Sequence, residues 1–230
     1  MYKFKPDRSA VELPAHKLVF FCSPKTASSS VKKMLYEVFH DKPFKDHHPD
    51  GSKYMIHKDF SPTPRFLEIP EGKYDGWTKI TLVRDPVERI ISAYCNRVLD
   101  LNIISPKHIE QNQMDKYGLE YQPPMHKFMR NIEKYRMVSR PVWHHTDRLT
   151  SFLGHDLGYF DKVFKFGEFD KMVGYISEHT GHEAKLPAST NRSKSKRSFE
   201  SLGENAKQSL LNYCAGDYAL LKSYYSPPSI

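Results

Sequence analysis

Residues 78–101 read TKITLVRDPVERIISAYCNRVLDL, and a change of periodicity inside this stretch decides the fold class. Thr78 to Val83 alternates and is β-branched, which predicts a strand. Asp85 is a natural helix N-cap, Pro86 suits the first helical position, and Glu88 completes a capping box. Val87, Ile90, Ile91, Tyr94, Val98 and Leu101 then recur at helical spacing as a buried stripe. A strand therefore runs straight into a helix, with Arg84 at the join.

The same grammar appears upstream. Lys17 to Cys22 (KLVFFC) is a short apolar run, as a buried strand would be. A polar loop follows, and Val31, Met34, Leu35, Val38 and Phe39 predict a helix from about Ser28 to His40. Lys53 to His57 reads as a further strand, and Phe60 to Asp75, with three prolines, as irregular. Asn102 to Arg140 reads as helical pieces interrupted at Pro123-Pro124. Lys162 to Phe166 reads as a strand, Phe169 to His179 as a helix, Leu186 to Ser198 as a basic loop, and Glu204 to Tyr225 as a terminal helix. Strands alternating with helices imply an α/β fold, a parallel sheet flanked by helices on both faces, in one domain over residues 1–230. Ligands in such sheets bind outside the carboxyl ends of the strands.

Composition narrows the function classes. A 13% share of aromatic residues argues against disorder over most of the chain. No apolar run approaches the ~20 residues of a membrane span. Met1 to Leu18 is mixed and charged rather than signal-like, so a cytoplasmic protein is expected. The three cysteines, Cys22, Cys95 and Cys214, lack metal or disulfide spacing and read as buried thiols. The net charge of +8 fits a polyanionic partner without choosing among nucleotide, nucleic acid and acidic glycan.

Two segments carry chemistry. Ser23-Pro24-Lys25-Thr26-Ala27-Ser28-Ser29-Ser30 lies between a strand and a helix. Free N–H groups and partial positive charge at a helix N-terminus suit a phosphate, and the loop adds hydroxyls and an ammonium. It contains no glycine, so it is not a Walker A loop. Ordinary capping explains one serine but not Lys25 with the run of hydroxyls. In the second segment Arg84 sits at the ligand-binding edge, able to grip a phosphate through two parallel hydrogen bonds. Ser92 lies two turns into the helix, with Arg89 and Asn96 on the same polar face. The plainer reading of this segment is a capped surface helix with solvated charges.

The stretch FFCSPKTASSSVKKML resembles the 5′-phosphosulfate loop of sulfotransferases that use 3′-phosphoadenosine 5′-phosphosulfate. LVRDPVERIISAY resembles the same family's 3′-phosphate motif, and the order of the two also fits. Weaker similarity continues through Lys165 to Phe169, Asn191-Arg192-Ser193 and the tail with Asp217-Tyr218, in the manner of the carbohydrate branch. Ala27-Ser28-Ser29 departs from the glycine and threonine that many members carry. The resemblance implies a P-loop-like nucleotide-binding core. It implies that Lys25 neutralises charge as the S–O bond breaks, that Thr26, Ala27, Ser28, Ser29 and Ser30 bind the 5′-phosphate, and that Arg84 and Ser92 hold the 3′-phosphate. Arg192, Lys194 and Lys196 would close over the nucleotide, although solvated charge explains that loop equally well.

In-line transfer needs a group opposite the donor to accept the hydroxyl proton. Among twelve histidines, His57 is the leading candidate, because carbohydrate sulfotransferases place a basic histidine in a comparable stretch. His47, His48, His144 and His145 are rivals, and an acidic base such as Glu68 stays open. The family needs no metal. A sugar hydroxyl is the favoured acceptor, by resemblance and by the exposed-looking Tyr121, Trp143 and Arg148; phenols, lipids and peptide tyrosines stay open. Two other classes compete. A small-molecule kinase would share the phosphate loop but needs Mg²⁺ ligands and usually glycines. A non-catalytic binder of nucleic acid or acidic glycan would use the charge but leave the two motifs unexplained.

Overall fold

Among the described residues, four short strands set the frame. A computed structural model describes residues 10–60, 66–187 and 193–230. The chain is α/β, and it divides into two compact units, residues 8–83 with 150–192 and residues 84–149 with 193–230.

The first unit carries a sheet in the order β1 (Ala10–Leu13), β2 (Leu18–Phe21), β3 (Thr78–Val83), β4 (Lys162–Lys165). β2, β3 and β4 are parallel, while β1 pairs antiparallel at the edge. Leu18, Phe20, Ile80, Leu82 and Phe164 point to one face. There they meet Val31, Met34 and Leu35 of α1 (Ser28–His40) and Met172 and Ile176 of the helix Phe169–Thr180. Each large apolar side chain sealed in this way contributes about 1.5–3 kcal/mol. On the opposite face Phe21 meets the rings of Phe66, Tyr74, Tyr159 and Phe160 edge-on at 5.4–5.9 Å. Because both faces of β2 are covered, its four residues are all buried, which is why it reads as an unbroken apolar run.

The antiparallel β1 escapes the sequence reading, since its four residues sit in a segment rich in charge. Lys53–His57 is not a strand. Lys53 makes an isolated bridge with His47, and His57 lies on the short α2 (Ile56–Asp59). Asp59 redirects the chain: its carboxylate accepts the Met55 N–H at 2.6 Å and so caps the turn that Asp59 itself ends.

The second unit begins at the β3 exit. α3 (Pro86–Ala93) starts under the Asp85 cap, whose Oδ1 accepts the Glu88 N–H at 3.0 Å. From Tyr94 to Asp100 the helix widens into π winding, and the Leu101 N–H reaches the Asn96 carbonyl five residues back. That change of pitch rotates Leu101 out of the expected stripe, leaving it 49% exposed while Val87, Ile90, Ile91, Tyr94 and Val98 are buried. These pack with α4 (Gln111–Tyr117), α5 (Met125–Arg130), α6 (Ile132–Val138), α7 (Arg140–Thr146) and the terminal helix Glu204–Leu220. Between α7 and that terminal helix the chain returns to the first unit through α8 (Thr150–Leu153), β4 and the helix Phe169–Thr180, which is α9; the terminal helix is α10.

Candidate active site

In the first unit, β2 hands the chain to α1 through residues 22–27. Lys25 and Ala27 both take positive φ, 70° and 56°, a left-handed conformation uncommon outside glycine. Ala27 thus holds a backbone conformation that favours glycine. The loop is pinned from inside: the buried Thr26 hydroxyl donates to the Ser23 carbonyl at 2.8 Å, and the Ala27 carbonyl accepts the N–H groups of Ser30 and Val31. Thr81 Oγ1 ties β3 to β2 by donating to the Phe21 carbonyl at 2.9 Å. Lys25, Ala27, Ser28, Ser29 and Ser30 are partly exposed, whereas Thr26 is sealed. Left-handed residues kept in place by such contacts are typical of binding loops.

His57 joins this loop. Its Nε2 lies 2.8 Å from Ser29 Oγ, although 28 positions separate the two residues. Its neighbours are differently employed. His48 sits 3.4 Å from Asp59 and packs against the Tyr54 ring at 4.6 Å. Glu68 lies exposed on a short turn at residues 66–68.

The second unit holds the other motif. Arg84 and Ser92 are both partly exposed, and the Glu88 carboxylate lies 3.4 Å from Arg84 Nε. Arg89 does not share the polar face expected for it. It is 0% exposed and ion-paired to Asp217 at 3.0 Å, and it also donates to the Asp147 carbonyl at 2.6 Å. Asp217 completes its shell by accepting the Leu149 N–H at 2.8 Å. Arg136 pairs with Asp147 at 2.6 Å and donates to the Tyr213 hydroxyl. Tyr218 donates its hydroxyl to Asp85 Oδ2 at 2.9 Å, so α10 holds the cap of α3 from outside the helix. The tail around Asp217-Tyr218 thus serves to fix the Arg84 turn. His145 is occupied as well: Arg97 Nε donates to its Nε2 at 3.1 Å, and its Nδ1 lies 2.8 Å from the Pro141 carbonyl, which assigns the Nδ1–H tautomer. Trp143 is buried at 3% exposure and is not an acceptor-facing ring, and Tyr121 turns its hydroxyl to the Ile109 carbonyl.

Arg192 lies outside the described residues. Lys194 and Lys196 are exposed on a segment fastened by Asp100, which the sequence reading passed over. The Asp100 carboxylate accepts the Ser193 hydroxyl and the N–H groups of Lys194 and Ser195 at 2.9 and 3.0 Å. Burial pushes its carboxyl up, but these hydrogen bonds outweigh that and bring it down to about 2.

The three cysteines are buried free thiols. Burial raises the Cys22 thiol, and the nearby Lys32 charge only partly opposes this, so it stays neutral. Among the described residues no group of three or more His, Cys, Asp or Glu is arranged to hold a metal ion, and no helix is long and apolar enough to cross a membrane.

Comparison with protein families gives a match to the family model described as the sulfotransferase family, over residues 10–224. No curated protein and no solved structure matches the chain significantly.

Proposed function

The chain belongs to the sulfotransferase family, and from that premise we propose that it moves a sulfuryl group from 3′-phosphoadenosine 5′-phosphosulfate to a carbohydrate hydroxyl. The observation that carries this reading is the 2.8 Å approach of His57 Nε2 to Ser29 Oγ. A group held by the loop 25–30 would lie one hydrogen-bond length from a base.

In this reading the backbone N–H groups of residues 26–30 and the side chains of Ser28, Ser29 and Ser30 hold the 5′-end of the donor, while the Thr26 hydroxyl braces the loop from inside. Arg84 and Ser92 hold its 3′-phosphate. His57 accepts the proton of the acceptor hydroxyl as that oxygen bonds to sulfur, in line with the departing phosphate oxygen. Lys25 neutralises the charge that builds on the departing oxygen. Lys194 and Lys196 close over the bound nucleotide.

The residues fit such a ligand in kind. The loop combines a helix N-terminus, a lysine and hydroxyls; Arg84 offers a planar fork suited to a phosphate. Support for a single domain with a P-loop-like core comes from the chain path: only Arg84 and Asp85 separate β3 from α3, and the loop after β2 and the turn after β3 leave the same end of neighbouring parallel strands. Ligands of α/β sheets bind at that end. The carbohydrate acceptor rests on resemblance in the tail around Asp217-Tyr218.

Incubation with radiolabelled donor and a panel of glycans, phenols and tyrosine peptides tests the proposal. Label transferred to glycan hydroxyls is the expected result. Label on phenols or peptides alone would move the acceptor class, and no transfer to any hydroxyl would overturn the reading.

A further inference from the structure

Four residues of α1, Ser29, Lys33, Tyr36 and Glu37, stand at i, i+4, i+7 and i+8 and so share one face of the helix. Ser29 meets His57. The other three hold the stretch of chain that leads to His57. Lys33 Nζ donates to Asp46 Oδ1 at 2.8 Å and lies over the Phe44 ring, 4.7 Å from its centroid. The Glu37 carboxylate accepts the Phe44 N–H at 3.0 Å. The Tyr36 ring meets those of Phe44, Tyr54 and Phe60 at 5.3–5.5 Å.

Between these anchors the chain makes a hairpin. The Tyr54 N–H donates to the Asp46 carbonyl and the His48 N–H to the Ser52 carbonyl, both at 2.8 Å, around a turn at Gly51 with φ of 82°. Asp46 and Tyr54 face α1, while His47 and Lys53, bridged across the hairpin, are exposed on its other side. Only Met55 and Ile56 then separate Tyr54 from His57, and Ile56 and Phe60 enter the core beside Val31 and Leu35 of α1. A lone exposed ion pair would hold such a hairpin weakly. Lys33 differs, because its side chain is only 13% exposed and its ammonium serves a carboxylate and an aromatic face at once. At 1.5 Å per residue, Lys33 and Glu37 lie about 6 and 12 Å along the helix from Ser29. The helix is the ruler between them.

We propose that Lys33, acting through Asp46 and Phe44, is a positioning residue for His57: α1 begins at the loop 25–30 and, one turn on, fastens the hairpin that sets His57 against that loop. The importance of this for transfer rests on reading His57 as the base. Lys33 itself touches neither donor nor acceptor. Its removal lets the hairpin shift on α1 and carries the imidazole off Ser29, and a displacement of about 1 Å at a reacting group costs on the order of 10²-fold in rate.

Ring ¹⁵N resonances of His57 in the full chain, assigned with His57→Ala, test the placement without any need for activity. Lys33→Met should move them toward the values of Ser29→Ala, in which the contact is gone. Lys33→Arg, which can still pair with Asp46 and cover Phe44, should keep them at the wild-type values, as should Lys53→Met, an equal loss of charge on the outer side of the hairpin. Should Lys33→Met not fold, Asp46→Asn breaks the same pair at an exposed residue and gives the same reading. Wild-type resonances in Lys33→Met, or in Asp46→Asn in its place, would overturn the proposal, as would an equal shift in Lys53→Met.

Transfer to the glycan that accepts label supplies the second readout. Lys33→Met should lower kcat by about 10–10²-fold with the affinity for 3′-phosphoadenosine 5′-phosphate unchanged. In a His57→Ala background it should cost nothing further, because a residue that acts only through His57 has nothing left to position. The same loss in both backgrounds would overturn the proposal. The two readings fail separately. Lys33-dependent resonances in a chain whose His57→Ala variant transfers normally would uphold the placement and remove His57 as the base. Transfer that needs His57 but is indifferent to Lys33 would do the opposite.

Discussion

His57 Nε2 stands 2.8 Å from Ser29 Oγ, joining the turn of α2 to the first turn of α1. The contact positions an imidazole beside the loop proposed to hold the donor. His57→Ala is expected to lower turnover by about 10²–10⁴, the usual worth of a general base, while donor affinity changes little. Ser29→Ala, which frees the ring without removing it, should cost less. Steady-state rates alongside nucleotide affinity check both, and a fully active His57→Ala enzyme would move the base elsewhere.

Lys25 is assigned to charge that develops during transfer, so its removal should act on rate more than on binding. Lys25→Ala should reduce turnover about 10²–10³-fold, as removal of one transition-state donor does, with a much smaller change in nucleotide affinity. Normal sulfation by this variant would contradict the role.

Asp100 makes the basic segment at 193–196 depend on acid. Its carboxyl titrates lower folded, at about 2, than the ordinary 3.8. The stability it lends is therefore complete above about pH 4 and is lost as the pH falls toward 2. Limited proteolysis by an acid-active protease should show the segment protected at pH 5 and cut at pH 2.5. Asp100→Ala should remove the protection at every pH and expose Lys194 and Lys196 to trypsin at neutral pH. Equal trypsin resistance in variant and wild type would rule out the fastening role.

Arg89 and Asp217 are sealed together, at 0% and 1% exposure. Asp217→Ala leaves a buried guanidinium without its carboxylate and should destabilise the fold by about 3–5 kcal/mol. Replacing both partners by apolar residues of similar volume should cost far less, because no orphan charge remains. Denaturant titration of the single and paired variants checks the difference.

These outcomes bear on how much could be read from the chain alone. The junctions of β2 with α1 and of β3 with α3 were legible because each is written in adjacent residues: an apolar or alternating run, then capping residues, then helical spacing. The left-handed turn at Ala27 was not legible, since an alanine carries no local mark of a positive φ. Arg89 was not legible, since the carboxylate that turns it inward lies 128 positions away. Asp100 was hidden for the same reason, its partners being 93–95 positions on. His57 was placed on the wrong element. Tyr54 and Ile56 mimic strand alternation, and only the return of Asp59 to the Met55 N–H makes the turn. Trp143 illustrates a further limit, because an aromatic residue carries no local mark of whether it faces solvent.

The assignment turns on Arg84 and Ser92 gripping a 3′-phosphate on the nucleotide whose other end meets the Lys25 loop. Calorimetric titration with 3′-phosphoadenosine 5′-phosphate, ADP, and ATP with Mg²⁺ addresses this most directly. The bisphosphate should bind far more tightly than either other nucleotide. Arg84→Ala or Ser92→Ala should erode that preference, Arg84→Ala by about 1.5–3 kcal/mol for the lost charge-assisted hydrogen bonds. Equal affinity for the bisphosphate and ADP, or tightest binding of ATP with Mg²⁺, would contradict it.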